Sequence, residues 1–128
     1  MRKTVLTLTV SKEWFSLIKE GVKDEEYREL NYYWINRLLL RKHDDDFERI
    51  SQDEAKAMLL MSVTIKELLE RKALTAIPYT HVIFSNGYRK DSPRIEKEIE
   101  GIIIGNPKDG LCPKEFMNKE YFIIKLKI

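Results

Sequence analysis

The sequence predicts an α+β protein built as a single domain over residues 1–128. Segments of two-residue apolar period stand at both ends of the chain, and segments of helical period lie between them. No internal repeat, linker or low-complexity stretch divides it. A length of 128 residues is the commonest size of one domain. Hydrophobic residues at 43%, with only 5 Gly and 4 Pro, supply a core and exclude collagen and disordered chain.

The elements follow in order. Val5, Leu6, Leu8 and Val10 among threonines predict a strand over Lys3 to Val10. Ser11 then offers a capping oxygen to a helix whose residues Trp14, Phe15, Leu17 and Ile18 share an apolar face, which places Trp14 in the core; Gly21 suits the left-handed stop. Lys23 to Lys42 has two readings. Tyr27, Leu30, Trp34 and Leu38 recur at helical spacing, so one amphipathic helix fits the whole stretch and puts Trp34 in the core. The other reading is a short polar strand from Lys23 to Glu29, a break near Asn31 and a helix from Tyr32 to Arg41. Periodicity alone favours the single helix.

His43 to Glu48, with three successive aspartates, reads as a solvated loop that holds His43 in a charged setting. Ser51-Gln52-Asp53-Glu54 is a capping box, and Met58, Met61, Ile65, Leu68 and Leu69 continue one helix to about Arg71. Three strands are expected after that, over Tyr79 to Ser85, Glu96 to Gly105 and Tyr121 to Ile128, with turns at Asn86 to Pro93 and Asn106 to Pro113. His81, inside the first of these strands, reads as a structural imidazole.

Charge and cysteine usage narrow the function. Lys and Arg number 23 and Asp and Glu 21, leaving +2, so binding to nucleic acid would have to rest on a local patch and not on bulk charge. Cys112 is the one cysteine, which rules out an internal disulfide. Neither His43 nor His81 stands at ligand spacing to it, so no metal and no cofactor is expected. The runs Leu38 to Leu40 and Ile102 to Ile104 fall far short of the roughly 20 apolar residues a membrane helix needs. Met1 to Val10 is too short and polar for a signal peptide. The expectation is a soluble cytoplasmic protein with no membrane partner.

Gly21-Val22-Lys23-Asp24-Glu25-Glu26-Tyr27-Arg28 resembles the Gly-x-Lys-x-x-Glu-x-Arg hallmark of the ASCH family, a group of PUA-like small β-barrels. The likeness to its phage and bacterial branch extends to Lys12-Glu13-Trp14-Phe15, Tyr33-Trp34-Ile35-Asn36-Arg37-Leu38, Phe84-Ser85-Asn86-Gly87-Tyr88 and Tyr121-Phe122-Ile123-Ile124. It implies a mixed or antiparallel barrel of about five to six strands with two to three helices packed around it, and a helical insertion at about 42–76. It also implies that Lys23 to Glu29 is a turn and strand lining a cleft. In a strand, Glu26 and Arg28 share one face and Glu25, Tyr27 and Glu29 the other. Charges so placed must meet water, a ligand or one another, because an unpaired buried charge costs several kcal/mol.

The resemblance implies an RNA- or nucleotide-binding module. Lys23 would present its ammonium to a phosphate or an acyl oxygen, Glu26 would orient it, and Arg28 would offer a planar fork. Arg37 would border the same cleft. In the Asn86-Gly87 turn, Tyr88, Arg89 and Lys90 would hold a phosphate while a base stacks, at about 1–3 kcal/mol per base. The bland reading of the same residues is a solvated lysine, an exposed ion pair and a hairpin loop kept soluble by its cations. The net charge of +2 favours a small nucleotide-like ligand or modest affinity over a long duplex.

The rival class is a hydrolase. Some short members of the family are amidohydrolases acting on N-acylated cytidines, with a lysine, a threonine and a glutamate. Here Lys23 matches the lysine and Glu26 stands where the threonine would be, so the catalytic alternative is Lys23 stabilising an oxyanion with Glu26 as base toward water. A ribonuclease is a weaker variant, and a surface meeting another protein leaves no residue signature.

Overall fold

The computed structural model describes residues 2–127, so the last residue of the strand expected to end at Ile128 lies outside the described residues. The described chain opens as expected with strand β1 (Val5–Thr9) and helix α1 (Lys12–Lys19), with Phe15 and Ile18 buried. Gly21 takes φ +79, the left-handed geometry that closes the helix.

The ambiguous stretch resolves into strand and helix. Strand β2 (Glu25–Arg28) precedes helix α2 (Tyr32–Leu38), whose N-cap Asn31 accepts the Trp34 amide at 3.0 Å. Helical period loses here because β2 finds an antiparallel partner in β8 (Tyr121–Leu126), with Glu26 opposite Ile124 and Tyr27 opposite Ile123. Main-chain pairing with an apolar, nearly wholly buried strand outweighs local pattern.

The middle of the chain departs from expectation. Helix α2 ends at Leu38, not Arg41, and Leu39 turns extended to begin β3 (Leu39–His43). The expected loop is a hairpin instead, β3 with β4 (Asp46–Arg49), His43 pairing with Asp46 across a turn in which Asp44 adopts φ +56. Aspartate tolerates that conformation, so the aspartate run makes a turn. His43 is exposed at the strand end, 3.8 Å from Asp44.

The single helix expected from Ser51 to Arg71 is two, α3 (Gln52–Leu59) and α4 (Ile65–Glu70). A second cap divides them, since the Thr64 hydroxyl accepts the Glu67 amide at 3.1 Å. The insertion read as helical at 42–76 thus also contains β4 and a short unpredicted strand, β5 (Leu74–Ala76).

The remaining strands are β6 (His81–Ser85) and β7 (Arg94–Gly105). Two sheets result, one ordered β1-β6-β7-β8-β2 and one ordered β4-β3-β5; β1 and β6 run parallel and the other pairs antiparallel. An irregularity between Ile99 and Gly101 bends the long β7, so its first part pairs with β6 and its second with β8. The five-stranded sheet is not closed by a main-chain ladder: β1 and β2 are its two edges. The fold is α+β as expected, with eight strands and four α-helices among the described residues, but its strands form two sheets and no closed barrel where a small barrel of about five to six strands was expected.

Phe84, Phe122, Ile18, Ile35, Leu38 and Ile124 are the heart of the core, where burying each side chain contributes about 1.5–3 kcal/mol. His81 is half-buried, with Nδ1 2.8 Å from the Thr80 hydroxyl, a structural setting. Among the described residues no helix is long and apolar enough to cross a membrane.

Candidate functional site

The turn after α1 sends Lys23 inward. The amides of Val22 and Lys23 both donate to the Leu17 carbonyl at 3.0 Å, leaving the Val22 side chain outside and the Lys23 side chain only 2% exposed. A cation inside and a valine outside invert the usual arrangement, and the buried charge must be satisfied. Lys23 Nζ donates to the Leu111 carbonyl, stands 3.7 Å from Glu26 Oε1, and lies 4.9 Å and 4.6 Å from the ring centres of Trp14 and Tyr27. Burial pushes its pKa below the ordinary lysine value, while the Glu26 carboxylate and then the Cys112 thiolate form push it back up.

Glu26 is the hub. Its Oε2 accepts from Arg28 Nη2 at 2.8 Å and its Oε1 accepts the Tyr27 amide at 3.1 Å. Arg28 Nη2 also donates to the Thr9 carbonyl at 3.0 Å, and its guanidinium lies 5.1 Å from the centre of the Trp34 ring. The alternation of β2 makes a second network from its other residues. Tyr27 donates its hydroxyl to Glu25 Oε1 at 2.9 Å and accepts the Lys108 amide at 3.0 Å. Burial is the chief cause holding the Tyr27 phenol well above its usual pKa. Lys108 Nζ, 3.3 Å from Asp24 and 3.7 Å from Glu25, completes that network.

Lys23, Glu26 and Arg28 converge on one cavity of about 200 Å³ between the sheet edges, together with Thr9, Trp14 and Cys112. Cys112 is buried, and that burial raises its thiol pKa against the opposing pull of Lys23. A second cavity, of about 320 Å³, shares Thr9 and Arg28 with the first and adds Tyr33, Trp34, Arg37 and Tyr88.

Of the residues expected at the site, Lys23, Glu26 and Arg28 come together, and Arg37 and Tyr88 join them through the second cavity. Asn86, Arg89 and Lys90 line neither cavity. They belong to an eight-residue loop between Ser85 and Arg94, wider than the tight turn Asn86-Gly87 suggested. There the Asn86 amide donates to Pro93 at 2.9 Å, and Arg94 ties the Arg89 and Lys90 carbonyls together from within. Trp14, expected in the core, is only partly buried and walls the first cavity. Trp34 packs on the core with one part and supports Arg28 with another.

Sequence reasoning passed over Tyr33, Thr9 and the Leu111-Cys112 segment. Tyr33 had a legible signal, since it stands four residues before Arg37 on α2, a spacing that stacks side chains, and the guanidinium lies 5.0 Å from its ring centre. Thr9 and Leu111 contribute main-chain carbonyls, which no residue pattern announces. Among the described residues no three His, Cys, Asp or Glu side chains gather as a metal site would need.

Fold and site together define a small α+β protein in which a buried Lys-Glu pair and a half-buried arginine open on a cleft between the edges of its main sheet. Comparison with models of known protein families, with curated proteins and with solved structures finds no match in any of the three.

Proposed function

We propose that the cleft between β1 and β2 binds RNA or a nucleotide, and that the chain is a PUA-like module of the ASCH kind. The observation that carries this reading is the convergence of Lys23, Glu26 and Arg28 on one cavity walled by Trp14. Cations held in place by a shared carboxylate are ready-made donors to phosphate, and rings beside them accept a base. The sequence likeness at Gly21 to Arg28 and the facing edges of the five-stranded sheet support the same assignment. The size and net charge fit a small ligand: about 200 Å³ lies below the range of drug-sized sites, roughly 300–1,000 Å³.

Fluorescence titration with short oligoribonucleotides and nucleotides tests the reading. Binding is expected to weaken as salt rises, and to vanish in the Lys23→Ala/Arg28→Ala double variant while its circular dichroism stays native. Salt-independent binding, or no binding, overturns it.

A hydrolase is the second reading, favoured by the depressed pKa of a lysine that sits beside both a carboxylate and a cavity. It ranks lower because both Glu26 oxygens already accept hydrogen bonds, which suits a fixed counter-ion better than a base. Turnover of an N-acylated cytidine that is lost in Glu26→Gln would promote it; unchanged turnover in that variant removes Glu26 from any such mechanism.

A further inference from the structure

Two arginines line the second cavity, Arg28 and Arg37, and each keeps one buried nitrogen without a partner. Among the described residues, two buried side-chain nitrogen or oxygen atoms have no hydrogen-bond partner, Nε of Arg28 and Nε of Arg37. Leaving a buried donor unpaired costs about 1–3 kcal/mol, and more when it carries charge, so both arginines lining this cavity keep donor capacity that the protein itself does not use.

The electrostatics agree. Arg28 is paired with Glu26 through Nη2, whereas Arg37 has no carboxylate within 4.0 Å among the described residues. The cavity therefore carries one positive charge in excess. Aromatic rings hold both cations in place: the Trp34 ring centre lies 5.1 Å from the Arg28 guanidinium carbon and 5.9 Å from that of Arg37, and Tyr33 packs edge-on against Trp34 at 4.9 Å. Groups fixed before binding lose little freedom when a ligand arrives. Tyr88, 93% exposed at the rim, leaves a ring face open to a planar group.

From this geometry we infer that the second cavity is a phosphate site, in which Arg28 and Arg37 grip the phosphate monoester of a nucleotide whose base stacks at the rim. A phosphate serves both guanidinium forks at once, because its three terminal oxygens accept in several directions and its charge of nearly −2 answers the excess; a carboxylate has two coplanar oxygens and half the charge. The inference rests on the nucleotide-binding reading above and gives it a ligand class. The monoester has two sources, a free nucleotide or the phosphorylated end of an RNA strand.

The test uses the full chain and follows the arginine Nε–Hε signals by NMR, with Arg28 and Arg37 assigned by substitution. Inorganic phosphate is expected to shift both signals saturably. A nucleoside monophosphate is expected to bind about tenfold or more tighter than its nucleoside. Arg37→Gln should erase that advantage, lowering monophosphate affinity about tenfold more than nucleoside affinity. Arg37→Lys, which keeps the charge and loses the fork, should restore part of it and covers the case in which Arg37→Gln fails to fold. A phosphorylated trinucleotide that binds tighter than the monophosphate assigns the site to an RNA end, and equal affinity assigns it to the free nucleotide. Nε signals indifferent to phosphate, or nucleoside and monophosphate bound equally, overturn the phosphate site while nucleotide binding survives. Phosphate shifts at both Nε with no binding of nucleoside or nucleotide keep the anion site and overturn the nucleotide reading.

Discussion

Arg28 on one edge of the main sheet donates through Nη2 to the carbonyl of Thr9 on the other, at 3.0 Å, and so joins two strands that share no ladder. The same nitrogen reaches Glu26 Oε2 at 2.8 Å, so one side chain both bridges the sheet edges and anchors the charged cluster. Arg28 and Thr9 both line each of the two cavities. Arg28 is the hinge between the fold and the chemistry.

Arg28→Met removes the bridge and keeps most of the apolar stem. The Glu26 carboxylate retains Lys23 and the Tyr27 amide, so the loss is expected to be partial, about 1–3 kcal/mol. Urea denaturation with an unchanged slope measures it. A loss below about 0.5 kcal/mol, the range of ordinary surface substitutions, would show that the bridge contributes nothing.

The two ends of the Lys23–Glu26 pair are not equivalent. Lys23→Met leaves Glu26 with its shorter partner Arg28, and exchanges a buried ammonium for an apolar chain, so its cost should be small. Glu26→Gln leaves two half-stranded cations, one of them 2% exposed, and should cost about 3–5 kcal/mol. The double variant should lose less than the two single losses combined. Equal losses in the two single variants would contradict the hub role of Glu26.

Lys23 should titrate below 10.5, because burial opposes its charge more strongly than its partners support it. Since Glu26 is the leading group that raises the value, Glu26→Gln should depress it further. In the interval between the depressed native value and 10.5 the unfolded chain binds more protons, so this residue's contribution to stability rises with pH there. Tyr27 acts in the opposite sense above about pH 10, where the unfolded phenol loses its proton and the native one keeps it. The readout is therefore residue-specific, the Cε carbon shift of Lys23 by NMR; a midpoint at or above 10.5 would contradict the assignment.

Ser51 caps α3 reciprocally, its hydroxyl accepting the Glu54 amide at 3.1 Å and Glu54 reaching back to the Ser51 amide at 3.5 Å. Ser51→Ala should cost about 1 kcal/mol. Faster hydrogen exchange in the first turn of α3, with α4 unchanged, is the local signature. Exchange altered equally in both helices would mean that the cap acts through the whole domain.

The capping box, the first strand and helix, and the three late strands were legible because each is written in neighbouring residues. The division of α3 from α4 was legible too, in Thr64 followed three residues later by Glu67, but an unbroken apolar stripe masked it. At the site, Lys23, Glu26 and Arg28 were readable as a motif. That Arg37 and Tyr88 stand near them came only through the family resemblance, since each belongs to a different element and no local pattern joins them.

Taken alone, the order of residues determined the class of fold, the caps, and the polar character of Glu25 to Arg28, because alternation and capping act over two to four positions. Tertiary structure decided that this polar segment is a strand, since its hydrogen bonds go to β8, nearly a hundred residues away, where no local preference reaches. It also decided that Lys23 is buried and not solvated, through a carbonyl at Leu111 and rings from Trp14 and Tyr27. A charge enters a protein interior only where partners from several elements meet it, and that meeting is a property of the folded chain.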